Sequence, residues 1–298
     1  MILSICIPVY NFDVRALVYD LKKEIKEHSI EAEIILIDDA SEEKFKTINS
    51  ELQNEVNQFV FLEKNIGRTK IRNLFLRYTK GNYLLFLDCD GKIINTNFLK
   101  IYIDFLNQNT EAEVLYGGRM VKDLSDRKHI LRWKFAVERE NLPVSARISK
   151  PYLSFQTNNF IIKKEIFNRI PFNAEFSKYG YEDLLFAMDL KSDHRKIYHV
   201  DNPIFNNDLE TNDVYLTKVE ESVESLAKMM KLDSVRPKLS EIKLVKAYNI
   251  LMKTNLQSVF LYLFTFVEKK IKRNLLSEYP SLRNLNIYKL GLFLRQMK

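Results

Sequence analysis

Apolar residues gather in short unbroken runs along the first third of the chain, and stretches of three-and-a-half-residue periodicity separate the runs. Ile2 to Val9 is one run, ending at Pro8-Val9-Tyr10-Asn11. Val14, Leu17, Leu21 and Ile25 then recur at helical spacing. Ile34 to Ile37 predicts a second buried strand ending in Asp38-Asp39, and Phe59 to Leu62 a third. A helix is predicted over Ile71, Leu74, Phe75 and Tyr78, with Gly81 placed to stop it. Tyr83 to Leu87 predicts a fourth strand, ending in Asp88-Cys89-Asp90. Unbroken apolar strands between amphipathic helices predict a mostly parallel sheet covered on both faces. In such sheets ligands bind beyond the carboxyl ends of the strands. Three of these strands end in polar, mostly acidic residues, which puts the expected site there.

Further on, a helix and strand over Phe98 to Val114 extend the sheet. Gly117 to Pro151 is polar and basic and reads as a long excursion outside the core. Phe160-Ile161-Ile162 resumes a strand, and a helix begins near Tyr181-Glu182-Asp183. Beyond Val214 the pattern is helical, with Val219, Val223, Leu226 and Met230 on one face. The expected organisation is an α/β unit over residues 1–213 and a helical C-terminal region over residues 214–298.

Composition narrows the class. The two cysteines, Cys6 and Cys89, fall in or at the end of apolar strands and read as reduced core thiols. No apolar run reaches the ~20 residues needed to cross a bilayer, and Met1 to Pro8 lacks the basic start of a signal peptide, so a cytoplasmic chain is expected. A net charge of +7 suits anionic partners, but no aromatic-plus-basic recognition motif appears, so nucleic acid is not an expected partner. Leu256 to Val267, followed by Lys269-Lys270-Ile271-Lys272-Arg273, reads either as a packed helix with a solvated basic end or as an element on the inner face of a membrane.

Four constellations carry chemistry. Asp88 and Asp90, two apart just beyond a strand, can turn toward one Mn²⁺ or Mg²⁺ ion, for which carboxylate oxygens are suitable ligands. Asp38-Asp39-Ala40-Ser41 can accept hydrogen bonds from a base or ribose, or cap the segment that follows. Asn65-Ile66-Gly67-Arg68 through Arg72-Asn73 opens a helix, where Gly67 permits close approach and arginines reach an anion, although the Gly-Lys-Ser/Thr of a phosphate loop is missing. Glu182 and Asp183 place paired acids at a helix start, where one can serve as a general base or both as a charged cap.

Taken in order, Ile7-Pro8-Val9-Tyr10-Asn11, Asp38-Asp39-Ala40-Ser41, Asn65 to Asn73, Asp88-Cys89-Asp90 and Glu182-Asp183 resemble the family 2 inverting glycosyltransferases with a GT-A fold. The resemblance implies transfer of a sugar from a nucleotide-diphosphate donor, with UDP as the implied carrier, to a saccharide or lipid-linked hydroxyl acceptor. By the same resemblance Pro8, Tyr10, Asn11, Asp38, Asp39, Gly67, Arg68, Arg72 and Asp88 line the nucleotide pocket. The resemblance further implies that Asp88 and Asp90 hold the metal, that Asp183 is the base and that Glu182 positions either that base or the acceptor. Relatives often carry a His after the Asn-Pro at 202–203. Here Asn206 stands nearest that place, with Asp208 close by, so Asn206 is the candidate third ligand. Acceptor contacts are expected from Trp133, Tyr152, Phe155 and Asn158, with Arg147, Ser154 and Thr157 beside them. Two other readings stay open, a nucleotidyltransferase and a degenerate, non-catalytic sugar-nucleotide binder.

Overall fold

A computed structural model of the chain describes residues 2–124, 126–176, 179–206 and 209–298. The strands are β1 (Leu3–Val9), β2 (Ala32–Asp38), β3 (Gln58–Phe61), β4 (Tyr83–Leu87), β5 (Gly91–Lys92), β6 (Val114–Tyr116), β7 (Arg119–Val121), β8 (Asn159–Lys163), β9 (Ile197–His199) and β10 (Ile204–Asn206). The helices are α1 (Arg15–Glu27), α2 (Glu43–Asn49), α3 (Arg68–Leu74), α4 (Phe98–Gln108), α5 (Ile130–Phe135), α6 (Val144–Ile148), α7 (Lys164–Arg169), α8 (Glu182–Ser192), α9 (Asn212–Met230), α10 (Lys243–Lys253), α11 (Gln257–Leu275) and α12 (Leu282–Gln296).

Seven strands form one sheet in the order β3-β2-β1-β4-β8-β6-β9, and β5-β10-β7 form a small second sheet. The large sheet is parallel except at β8, which runs antiparallel to both β4 and β6. Alternation along β1 explains the two-faced core. Leu3, Ile5, Ile7 and Val9 pack with Leu17 and Leu21 of α1 and Leu99 of α4. Cys6 points the other way, among Phe75, Phe86 and Phe186. Much of the aromatic content is spent here: Phe86 stacks on Phe160 at 4.9 Å, and Phe172 on Phe186 at 4.2 Å.

Register places the site. Val9 pairs with Asp38, so β1 and β2 end together, and β4 ends beside them. Because β8 is reversed, its beginning reaches the same edge: Leu87 pairs with Asn159, and the Asp88 amide donates to the Asn158 carbonyl at 3.1 Å. The small sheet adds a further wall, pairing Asn206 with Gly91 on one side and with Val121 on the other.

Two expectations change. Gly81 does not cap a helix; α3 gives way to a short 3₁₀ turn over Phe75–Arg77, and Gly81 instead lets the chain pass against β1. A Cβ there would lie 2.7 Å from the Ile2 carbonyl and 2.8 Å from the Ser4 nitrogen. Gly81→Ala is therefore expected to cost about 1–3 kcal/mol in a denaturant titration, by overpacking. The excursion after Gly117 is also tied into the core. Leu131 is fully buried with Tyr215, Leu216 and Leu285 of the C-terminal helices. Arg147 is buried and donates to the carbonyls of Tyr116, Gly117 and Val200, which lie at or just beyond the ends of β6 and β9, and to that of Leu142 in its own loop. The predicted stripe Val219, Val223, Leu226 and Met230 is buried, on α9.

Candidate active site

Beyond the carboxyl ends of β1, β2 and β4 lies a cleft of about 900 Å³, a volume suited to a nucleotide-sized ligand. Pro8, Tyr10, Asn11, Asp39, Gly67, Arg68, Arg72, Asp88, Asp90 and Asn206 all line it. Tyr10 is exposed, an aromatic face open to the cleft. Asn11 has a left-handed backbone, and its side-chain oxygen accepts from the Glu42 amide while its own amide donates to Ser41 Oγ. Asn11 thus joins the loops after β1 and β2, and the start of α2 is held by Asn11 rather than by a side-chain cap from Asp39 or Ser41.

The acidic pair after β2 divides its work. Asp38 is fully buried and does not line the cleft. One of its oxygens accepts from the Ser41 amide at 2.8 Å, and the other has no hydrogen-bond partner. Asp39 accepts from the amides of Ile66 and Gly67 at 2.7 and 3.1 Å. The anion at the start of α3 is therefore the protein's own carboxylate, and the Gly67 amide is bound within the protein although Gly67 lines the cleft. Burial raises the Asp39 carboxyl, and those two amides offset part of the rise.

Asp88 and Asp90 stand at the centre. Arg72 is buried and bridges Asp88 at 2.6 Å while donating to the Arg68 carbonyl at 3.0 Å. Arg68 pairs with Asp88 at 3.6 Å and with Glu182 at 3.1 Å. Burial, then the neighbouring Asp88 charge, pushes Asp90 up to about 6. The Asn206 amide donates to Asp90 at 2.8 Å, so the residue nearest the missing His does reach the acids. Asp208 lies outside the described residues. Among the described residues no three His, Cys, Asp or Glu side chains form a metal cluster. The donor set is two carboxylates and an amide, all oxygen-bearing groups. It fits a hard divalent ion.

A side chamber of about 280 Å³ opens from this cleft and shares Arg68, Asp88, Arg119, Arg132 and Tyr179 with it. Asp183 lines it, half-buried at the start of α8. Burial, then the adjacent Glu182, pushes Asp183 up to about 7. Glu182 is clamped by Arg68 and by the Gly180 amide at 2.8 Å. The turn before α8 is tight: Gly180 and Tyr181 both have positive φ, and a Cβ on Gly180 would meet Ser222 Cβ at 2.3 Å. Such a backbone persists only where its surroundings hold it, and here it aims the two acids.

Of the expected acceptor residues, Phe155 and Asn158 line the chamber, with Thr157. Both polar atoms of the buried Asn158 amide lack a hydrogen-bond partner. Trp133 and Tyr152 do not line it. Trp133 sits on a separate outer groove with Tyr279 and Pro280, its indole bonded to the Lys122 carbonyl. The Tyr152 hydroxyl donates to the Arg195 carbonyl at 3.0 Å, and its ring packs on the core. Arg147 acts as the strand-end clamp, and His199 ends β9 and packs edge-on to Tyr116.

Sequence reasoning missed a buried charge network. Glu140 bridges Arg119 at 2.9 Å and Arg132 at 2.8 Å, and Glu210 joins Arg132 to Lys218. Two nitrogens of the Arg119 guanidinium have no hydrogen-bond partner. Nothing local in the sequence marks Arg119, Arg132 or Glu140. The helical C-terminal region also contributes, since Tyr215, Lys218 and Ser222 of α9 form cleft and chamber walls.

Known proteins share this fold. The family model described as glycosyl transferase family 2 matches residues 4–185. The chain is 27% identical over 223 residues to chondroitin synthase of Escherichia coli, covering 63% of this chain and 32% of that protein, about a third of its length. An uncharacterized glycosyltransferase of Rickettsia bellii is 27% identical over 106 residues, 36% of this chain and 15% of that one. Among solved structures, the mannosyltransferase PcManGT from Pyrobaculum calidifontis, in complex with GDP-Man and Mn²⁺, shares the fold at a TM-score of 0.59, with 15% identity over 98% of this chain and 85% of that one. TarS of S. aureus does so at 0.55, with 18% identity over 98% and 55%. Glucosyl-3-phosphoglycerate synthase from Mycobacterium tuberculosis, with Mg²⁺ and UDP, gives 0.53, with 12% identity over 77% and 78%. The family match runs from β1 to the first turn of α8, through the strand ends that build the cleft, and the chain belongs to glycosyl transferase family 2.

Proposed function

We propose that this glycosyltransferase moves a sugar from a nucleotide-diphosphate donor, a UDP-sugar, to a hydroxyl of a saccharide or lipid-linked acceptor in a single inverting displacement. The observation that carries the reading is Asp183, a carboxylate pushed up to about 7 in a chamber that opens onto the cleft of Asp88, Asp90 and the arginines. A base with a pKa near neutrality takes a proton efficiently and is still ionised in useful amount. In this reading Asp183 accepts the acceptor's proton, the freed oxygen bonds to the anomeric carbon, and the bond from that carbon to the diphosphate breaks. Glu182 positions the turn, and Asn158 orients the acceptor through its unpaired amide.

Arg68, Arg119 and Arg132 meet the charge that develops on the leaving diphosphate. Pro8, Tyr10, Asn11 and Asp39 wall the nucleoside end, and Arg72 orients Asp88. Asp88, Asp90 and Asn206 would hold Mn²⁺ or Mg²⁺, which supplies Lewis-acid charge at the diphosphate. Support for the donor class comes from relatives of the same fold: TarS has been crystallised with UDP-GlcNAc, and PcManGT with GDP-Man and Mn²⁺.

Thermal unfolding across a panel of nucleotide sugars, with and without Mn²⁺, tests this. One donor is expected to raise stability by about 2.7 kcal/mol at a hundredfold excess over its Kd, and chelator should remove the gain. Proton NMR of the product then reads the anomeric configuration. A chain stabilised by no nucleotide sugar, or a product of retained configuration, would overturn the proposal.

A further inference from the structure

Helix α11 is apolar on two opposite sides, and only one of them is covered. Leu261, Phe264, Ile271 and Leu275 are buried, with Leu285 and Tyr288 of α12 in the same cluster. Gly291 of α12 allows the close approach, because a Cβ there would sit 2.4 Å from the Phe264 ring. The other side carries Val259, Tyr262, Leu263 and Phe266, with relative exposures of 54%, 65%, 58% and 68%. At 3.6 residues per turn these four fall within an arc of about 100°. A helix that is apolar all round belongs in a core or against an apolar medium, and half of this one faces neither.

Charge identifies what covers it. Continued along the helix, the same arc holds Lys270 and Arg273, with Lys269 at its border, and all three are exposed without an ion-pair partner among the described residues. The one acid of the helix, Glu268, lies on the opposite side and is bound by Arg295. Exposed Ile250 and Leu256 and the exposed Lys253 stand at the elbow before α11, where the chain bends by 119° from α10. Among the described residues no single helix is long and apolar enough to cross a membrane.

We infer that this arc of α11 lies on the surface of an anionic lipid bilayer, its apolar turns among the acyl chains and its basic turns among the headgroups. Aromatic side chains such as Tyr262 and Phe266 suit that boundary, and a row of cations without carboxylates suits acidic headgroups. A second copy of the chain fits less well. Its arc would bring no carboxylate to the lysines, leaving cations against cations or against apolar side chains. The inference stands apart from the proposed reaction, because none of these residues lines the cleft or its chamber.

Co-sedimentation of the full chain with vesicles of phosphatidylcholine, with and without phosphatidylglycerol, is the test. Binding is expected to the phosphatidylglycerol vesicles and to weaken with added salt. Leu263→Ser with Phe266→Ser should lower partitioning about tenfold or more, through the lost apolar burial. Lys269→Gln, Lys270→Gln and Arg273→Gln together should lower it roughly 100-fold on the anionic vesicles. Both variants change exposed positions, and unchanged thermal unfolding verifies that they fold. The inference falls if neither vesicle sediments the chain, or if the Leu263→Ser/Phe266→Ser variant binds like the parent. It also falls if sedimentation velocity finds a dimer that Phe266→Ser dissolves, for then the arc belongs to a second copy.

Discussion

Asp183→Asn is expected to lower sugar transfer by about 10²–10⁴-fold, the usual effect of removing a general base, while donor affinity stays unchanged. The amide preserves the shape of the side chain in the chamber but cannot take the acceptor's proton. Donor contacts are assigned to the other arm of the site, where Arg68, Arg72 and Asp88 are held by one another. The pH profile carries the same information. As the proposed base Asp183 would have to be ionised, so transfer by the parent chain should rise with pH and level off above about 7. The residual activity of Asp183→Asn should lack that step.

The same shift has a consequence for stability with a definite sign. The folded-state carboxyl is raised from 3.8 to about 7, so the unfolded chain ionises first. Between these values the folded state is progressively disfavoured as pH rises, and above about 7 the penalty is complete. Asp183→Asn should therefore stabilise the chain at pH 8, by about 1–3 kcal/mol, and the gain should vanish as pH falls toward 4. Opposite movement of activity and stability in one variant is characteristic of a group held at some cost for chemistry. If transfer and stability were both unchanged, Asp183 would have no part in proton transfer.

Asp90→Asn is expected to abolish Mn²⁺ binding in the presence of UDP, read directly by the electron paramagnetic resonance of free Mn²⁺. Transfer should fall by about 10²–10³-fold, as the loss of several kcal/mol of charge stabilisation requires. Two features make Asp90 the sensitive position. It faces Asp88 closely enough for that charge to raise its own carboxyl, and its protein contacts are lighter than those of Asp88, which is held by two arginines. A cation held by both carboxylates would relieve their repulsion. Mn²⁺ bound equally by the parent and by Asp90→Asn would remove Asp90 from the metal site.

Contacts between neighbours in the chain are what its sequence determined. Unbroken apolar runs must be buried on both faces, so β1, β2 and β4, with α1 and α3, could be read directly, and the acids after them fell at strand ends by simple succession, whereas the short α2 carries too little periodicity to show. Asp88, Asp90, Glu182 and Asp183 were visible because each lies at the boundary of an element whose period is clear. Tertiary structure decided everything that depends on residues far apart meeting. The reversal of β8 brought Asn158 beside Asp88, whereas Trp133 and Tyr152, which share its stretch of sequence, were turned elsewhere. The Gly67 amide was taken by Asp39 from another loop, and Arg119, Arg132 and Glu140 became one buried network only when β7, α5 and the turn after α5 packed together. The physical reason is that periodicity records which side of an element is buried, while charge pairing and chamber walls depend on three-dimensional distances that no local pattern encodes.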